Sequence, residues 1–199
     1  MITAIGDVMR EAYKRGWITT RDGNASVRMR GRQTMYITPS GWRKTIIHPE
    51  HIVKLKYDTD TWYLDIPNNV NPSGELHMHH LIQSGMVGTT SVLHLHPTYT
   101  IAAIHAGFDL QSLCKDFPEI SRYTKVGPTV PLIPPTTEEL GNATAKAIGT
   151  KFADPNIKYD VVGQTAHGVC AVGRNPWDAF EHIERLEHIC QIVLVSGKK

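Results

Sequence analysis

The sequence contains no apolar run long enough to cross a membrane, no internal repeat, no low-complexity segment and no block of like charge. Each absence narrows the function. Without a spanning run or a basic patch, neither a bilayer nor nucleic acid is expected as a partner, and a net charge of +2 is too small to argue otherwise. The opening MITAIGDVMREAYKRGW carries charges inside its apolar pattern, so it does not read as a signal peptide. Cysteine is scarce. Cys114, Cys170 and Cys190 are far apart and form no CxxC pair, which excludes a disulfide framework or a zinc ribbon and fits reduced thiols in a cytoplasmic protein. With 41% apolar and 20% charged residues over 199 positions, one globular domain spanning 1–199 is expected.

What the sequence has in quantity is histidine. Of 11 histidines, six fall between His77 and His105. The surrounding elements are legible from periodicity. Ile2, Ile5, Val8, Met9, Ala12 and Tyr13 recur at helical spacing. SVRMRGRQTMYIT reads as a hairpin pivoting at Gly31, and HIVKLKYDTDTWYLD as a strand pair turning at Asp58 to Asp60. PSG at 39–41 is a loop. NPSGELHMHHLIQSG enters a helix, with Ser73 as its N-cap and Glu75 in its first turn. A helix over TYTIAAIHAG is followed by a loop-rich stretch, FDLQSLCKDFPEISRYTKVG, and a short strand, VPLIPP. A helix capped by Thr136 or Thr137, two strands around Gly168, and a last helix with Asn175 at the cap and Pro176 at its first position complete the chain. Strands mostly adjoin strands, with helices before, between and after them, which predicts a mixed α/β sheet covered by helices.

The stretch SVLHLHPTYT places His94 and His96 two apart at the end of an apolar strand. Alternate strand residues share a face, so both imidazoles point one way with Val92, while Leu93 and Leu95 point the other. Strand histidines are often merely half-buried, but a third nearby imidazole would make a metal site of the catalytic type, with three protein ligands and an open position. His167, His105 and His182 are all candidates for that third ligand by spacing alone. His182 and His188 lie in a charged helix and are expected to be solvated, and His77 and His80 on exposed helix faces. Glu75, a short helix upstream, could fill or guard the fourth position.

GNAS, ITPSG, PSGELHMH, VLHLHP and AHG follow one another in an order and at intervals that resemble the class II aldolase/adducin head family. Its members include fuculose-1-phosphate aldolase and ribulose-5-phosphate 4-epimerase. The resemblance runs from the first helix to the last. It implies an α/β/α layered domain around a mainly antiparallel central sheet, and a homotetramer with active sites at subunit interfaces. It also implies Zn²⁺ on His94, His96 and His167, Glu75 as the catalytic acid/base, a structural His79, and substrate phosphate held by Asn24, Ser40, Gly41 and Ser73. The chemistry is coherent. Cleaving a carbon–carbon bond beside a ketone leaves an enediolate whose charge a Lewis acid stabilises, while a neighbouring carboxylate moves the proton. Glycine-rich loops and a helix start can cradle phosphate.

Three departures from the family pattern bear on activity. Many members carry two hydroxyl residues before the acid, whereas Ser73-Gly74-Glu75 has one. Arg122 stands where the epimerase has an acidic residue, while Tyr123 matches an aldolase tyrosine that protonates the aldehyde oxygen. VLVSGKK carries no tyrosine of the kind larger members place in a C-terminal tail. The expectation is a zinc-dependent aldolase acting on a small phosphorylated ketose, or on dihydroxyacetone phosphate plus an aldehyde. The alternatives are a dehydratase, epimerase or decarboxylase of a sugar phosphate, with Glu119 as the nearest extra acid for dehydration, and a non-catalytic adducin-head-like module.

Overall fold

The structure, a computed structural model, describes residues 1–199 except Arg32, 58–61, 65–69, 87, 89, 151–157 and 198–199. Its strands are β1 (Asn24–Arg28), β2 (Thr34–Ile37), β3 (Val53–Tyr57), β4 (Trp62–Leu64), β5 (Thr90–Leu95), β6 (Val161–Gln164) and β7 (Gly168–Gly173). Its α-helices are α1 (Ile2–Lys14), α2 (Leu76–Ser84), α3 (Thr98–His105), α4 (Leu110–Lys115), α5 (Pro118–Tyr123), α6 (Glu138–Ile148) and α7 (Pro176–Ser196). The strands form one sheet in the order β4-β3-β2-β1-β5-β7-β6, and its neighbouring strands all run antiparallel.

β5 is the centre of this sheet. It pairs with β1 on one side and β7 on the other, and all six of its residues are buried. Its alternation sorts two cores. Leu93 and Leu95 join Ala25, Val27, Val169 and Ala171 beneath α1 and α7, where Phe180 stacks on Trp17 with ring centroids 5.1 Å apart. Val92 joins Val162, Cys170 and Val172 beneath α2 and α6, against Met78, Ile82, Leu140 and Ile148. Each buried Val, Leu, Ile, Met or Phe among them contributes about 1.5–3 kcal/mol of transfer free energy. Helices on both faces of an antiparallel sheet are the layered α/β/α arrangement that the family resemblance implies.

Several local expectations are corrected. The stretch after Ala106 is not mainly loop. Asp109 caps α4 by accepting the Ser112 N–H, and Pro118 opens α5 at a position where its missing N–H costs nothing. VPLIPP forms no strand. Val130 makes only an isolated bridge to Gln164, because Pro128, Pro131, Pro134 and Pro135 have no N–H to continue a ladder. Of the two threonines expected to cap α6, Thr137 does so. Glu75 rather than Ser73 occupies the N-cap of α2, and the Ser73 hydroxyl accepts the Glu75 N–H at 3.3 Å. His182 is buried, not solvated. It lies on the same stripe of α7 as Ala179 and Leu186 and is hydrogen-bonded to Thr124 Oγ1 at 2.9 Å. His77 and His80 are half-buried rather than exposed. The predicted turn at Asp58 to Asp60 lies outside the described residues.

α3 begins directly after His96, so its anchoring bears on the histidine strand. A buried carboxylate from α7 holds it: Glu187 accepts the N–H groups of Tyr99 (2.9 Å) and Thr100 (2.7 Å) and the Thr100 hydroxyl (2.8 Å). Glu187→Ala leaves these buried donors unmatched. The expected loss of stability, read from urea unfolding, is at least about 1–3 kcal/mol, the cost of one such unmatched group.

Candidate active site

The site is assembled where three strand ends meet. β5 stops at Leu95, and the His96 N–H then donates to the Trp17 carbonyl at 2.9 Å, which ties the second histidine to the segment after α1. Between β6 and β7, Thr165-Ala166-His167 forms the turn. Ala166 takes a left-handed φ of 54°, and Thr165 is pinned to the Val130 carbonyl through both its N–H and its hydroxyl. Gly168 follows because nothing larger fits. A Cβ there would lie 2.4 Å from the Leu95 carbonyl oxygen and 2.8 Å from His96 Cδ2.

This close approach gathers His94, His96 and His167. One ligand nitrogen from each lies within 4.8 Å of the others, and among the described residues this is the group of His, Cys, Asp and Glu arranged to hold a metal ion. His105 and His182 are not part of it. His94 Nδ1 donates to the Val169 carbonyl at 2.9 Å, which leaves the Nε2 lone pair facing His96 Nε2 at 2.8 Å. Burial, reinforced by the neighbouring imidazoles, holds His94 well below the usual histidine range, and His96 is lowered for the same reasons. Both are therefore neutral near pH 7, the form a metal requires. Glu75 Oε2 lies 3.4 Å from His94 Nε2, and Oε1 lies 3.7 Å from His167 Nε2. Oε1 is buried with no hydrogen-bond partner. Three imidazoles and an unsatisfied carboxylate oxygen form a donor set that suits a divalent ion such as zinc.

The loop residues take different places. Pro39 bridges Pro72, Ser40 N–H donates to the Asn71 carbonyl (2.9 Å) and Ser73 N–H to the Thr38 carbonyl (3.0 Å), so Ser40 and Gly41 run beside Ser73. Ser40 and Gly41 are exposed, while Ser73 is buried. Asn24 is turned inward: its amide donates to Glu75 Oε2 at 3.1 Å and its carbonyl oxygen meets His79 Nε2. Tyr123 and Glu119 are not brought here. Both lie on α5, which packs in the core on the other face of the sheet. Tyr123 is 48% exposed, with the Arg122 and Arg185 guanidinium carbons 5.3 and 5.6 Å from its ring centroid.

Three residues at the site were not singled out by the sequence reading. Lys44 is only 2% exposed. Its ammonium bridges the carbonyls of Arg21 (2.8 Å) and Trp42 (3.1 Å), tying the loop before Asn24 to the loop of Ser40 and Gly41, and burial lowers its pKa to about 8. Ser26 and Gln83 extend the polar cluster behind His79. Their signal was spacing: Ser26 shares a strand face with Asn24, and Gln83 shares a helix face with His79.

The family described as Class II Aldolase and Adducin N-terminal domain matches residues 3–194. A probable bifunctional methylthioribose-1-phosphate isomerase/methylthioribulose-1-phosphate dehydratase from Nocardia farcinica is 26% identical over 202 residues, covering 98% of this chain and 35% of that protein. The chain thus spans about a third of the length of this relative. An L-fuculose phosphate aldolase from Methanococcus maripaludis is 24% identical over 183 residues, 90% of this chain and 88% of that one. Among solved structures, a sugar-phosphate aldolase from Thermotoga maritima superposes with a TM-score of 0.78 at 21% identity, covering 100% of this chain and 96% of that chain.

Burial lowers the pKa of His79 to about 3, against about 6.5 in an unfolded chain. The unfolded chain therefore takes up a proton that the folded one refuses. Stability from this group is complete above pH ~6.5 and is lost as pH falls toward 3, at up to about 1.4 kcal/mol per pH unit. The urea midpoint of the metal-free protein is expected to be lower at pH 5 than at pH 7, with a smaller drop in His79→Asn.

Proposed function

Because the chain belongs to the family of class II aldolases and adducin N-terminal domains, we propose that it is a Zn²⁺-dependent lyase acting on a small phosphorylated ketose by aldol cleavage or condensation. The observation that carries this reading is the convergence of His94, His96 and His167 with the Glu75 carboxylate within 3.7 Å of two of them. A divalent ion held by the three imidazoles supplies Lewis acidity toward the negative charge that develops beside the substrate ketone. Glu75 carries the proton to and from carbon, a role that suits a carboxylate poised between the metal ligands and Asn24. The phosphate is taken by the exposed Ser40 side chain and Gly41 backbone and by the Ser73 hydroxyl, which accepts from Glu75 N and keeps its hydrogen for an anion. Asn24 borders this cradle from the Glu75 side. The buried ammonium of Lys44 braces the two loops that form it. Tyr123 acts on a neighbouring subunit's substrate in a homotetramer, and its exposure is what such a role needs. No helix among the described residues is long and apolar enough to cross a membrane. The three widely spaced cysteines, all buried and free, support a reading of the enzyme as cytoplasmic.

A second reading, dehydration of a methylthioribulose-phosphate-like substrate, is favoured by the dehydratase activity for which the Nocardia relative is named. It shares the metal and Glu75 but needs an acid for the departing hydroxyl, and Glu119 sits on the exposed first turn of α5 instead. Product analysis with a panel of phosphorylated ketoses separates the two: an aldehyde with dihydroxyacetone phosphate marks the aldolase, and loss of water marks the dehydratase. A non-catalytic module is disfavoured by the intact three-histidine group. Failure to bind zinc would restore that reading.

Glu75→Gln keeps the side-chain shape and removes the base. Zinc content is expected to persist, turnover to fall by roughly 10²–10⁴, and exchange of the ketose-side carbon-bound proton with deuterated water to fall in parallel. His94→Ala is expected to lose metal and turnover together. Near-normal exchange in Glu75→Gln would reduce Glu75 to a helix-end charge. Light scattering at micromolar concentration is expected to show a tetramer, and a monomer would remove any role for Tyr123 across an interface.

A further inference from the structure

Glu75, His79 and Gln83 are spaced four residues apart at the start and along one side of α2, and Asn24 and Ser26 face them from β1. The five side chains interleave into one continuous ladder, Gln83–Ser26–His79–Asn24–Glu75, and none is more than 7% exposed. The direction of every hydrogen bond in it can be assigned. Gln83 Nε2 lies 3.3 Å from the Thr90 carbonyl and 2.9 Å from Ser26 Oγ. A carbonyl only accepts, so the amide nitrogen of Gln83 must face it, and the second amide hydrogen goes to Ser26 Oγ. Ser26 then has its own hydrogen to give, and its neighbour is His79 Nδ1 at 2.7 Å. An imidazole that accepts at Nδ1 carries its hydrogen at Nε2, which points at Asn24 Oδ1. That fixes which way the Asn24 amide lies, with its nitrogen toward Glu75 Oε2 at 3.1 Å.

We infer that Gln83, Ser26 and His79 are positioning residues: a one-way hydrogen-bond relay from the Thr90 carbonyl locks Asn24 as a donor to Glu75 Oε2 and so aims Oε1 at the three-histidine centre. The inference rests on the reading of Glu75 as the acid/base. A polar cluster with a purely structural role would need the same packing but no particular direction. Direction matters because the reversed ladder occupies the same volume yet sets the Asn24 carbonyl oxygen against the Glu75 carboxylate. Two acceptors facing each other in a buried site repel, and the carboxylate would turn away.

Gln83→Glu reverses the ladder almost isosterically. The carboxyl oxygen that replaces the amide nitrogen carries at most one hydrogen, which the Thr90 carbonyl takes, so toward Ser26 it accepts; the Ser26 hydrogen turns to it, His79 takes its hydrogen at Nδ1, and the Asn24 amide flips. Gln83→Met removes the polar group without imposing a reversal. Two readouts follow. In metal-free protein with ¹⁵N-labelled histidine, NMR is expected to show His79 as the Nε2–H tautomer in the native chain and as the Nδ1–H tautomer in Gln83→Glu. With zinc bound, Gln83→Glu is expected to lose about 10- to 100-fold in turnover, the usual effect of an outer-shell change, and Gln83→Met less, although Met departs further from Gln in chemistry. An Nδ1–H tautomer in the native chain overturns the relay, and so does a loss in Gln83→Met equal to or larger than in Gln83→Glu. If Gln83→Glu fails to fold, Ser26→Ala serves instead: with the donor to Nδ1 gone, an Nδ1–H population is expected, and its absence overturns the relay. If the native chain turns over no phosphorylated ketose, the functional reading fails, while the tautomer measurement still decides the direction of the relay.

Discussion

The antiparallel register of β5 against β7 is the constraint on which the rest depends. It sets His94 opposite Cys170 and Leu95 opposite Val169. It places the Val169 carbonyl where His94 Nδ1 can donate to it, and it brings the turn bearing His167 over the end of β5. A slip of one residue would exchange the two faces of β5, sending His94 into the core under α1 and α7 and Leu93 into the polar site. The apolar demand of Leu93 and Leu95 therefore holds the register, and the histidines take their positions from it. Gly168 is part of the same constraint, since any side chain there would push β7 off the strand it must meet.

The two faces of the sheet differ in electrostatic character. The face under α1 and α7 is packed mainly by apolar side chains, with Glu187 and His182 each paired within it, and the face under α2 combines an apolar half near α6 with a buried polar half around Glu75. Such a layer is tolerable only when its members are paired, and the pairing here is nearly complete from Gln83 to Glu75. Desolvation then determines charge. His79, His94 and His96 are all pushed toward the neutral form. The thiol of Cys170 is pushed up by burial and by Glu75, so it stays protonated and inert. Negative charge in the site is left to Glu75. Neutral imidazoles at His94 and His96 thus stand beside one carboxylate.

Much of this was readable from the chain. The hairpins, the capped helices α6 and α7, and the shared face of Val92, His94 and His96 follow from periodicity and turn residues. Readings failed where local pattern was outvoted by tertiary context. His182 looks solvated because Glu181, Glu184 and Arg185 surround it in sequence, yet it lies on the apolar stripe of α7. The residues after Ala106 look like loop because α4 and α5 are only six residues each, too short to show a period. VPLIPP looks like a strand by composition, but its prolines cannot complete a ladder.

Local pattern was enough to put two histidines on one strand face, a carboxylate at a helix start, and glycine loops beside them. These are properties of nearest neighbours and of fixed periods, 2.0 for strands and 3.6 for helices. Only the tertiary structure selected His167 over His105 and His182 as the third imidazole, because that choice depends on which turn the β5–β7 register brings to the end of β5. It also turned the Asn24 side chain toward Glu75, set Lys44 between two loops, and ordered Ser26, His79 and Gln83 behind the acid. These contacts join residues as distant in the chain as Glu75 and His167. No local pattern encodes them, because they exist only once burial has removed water as the competing partner.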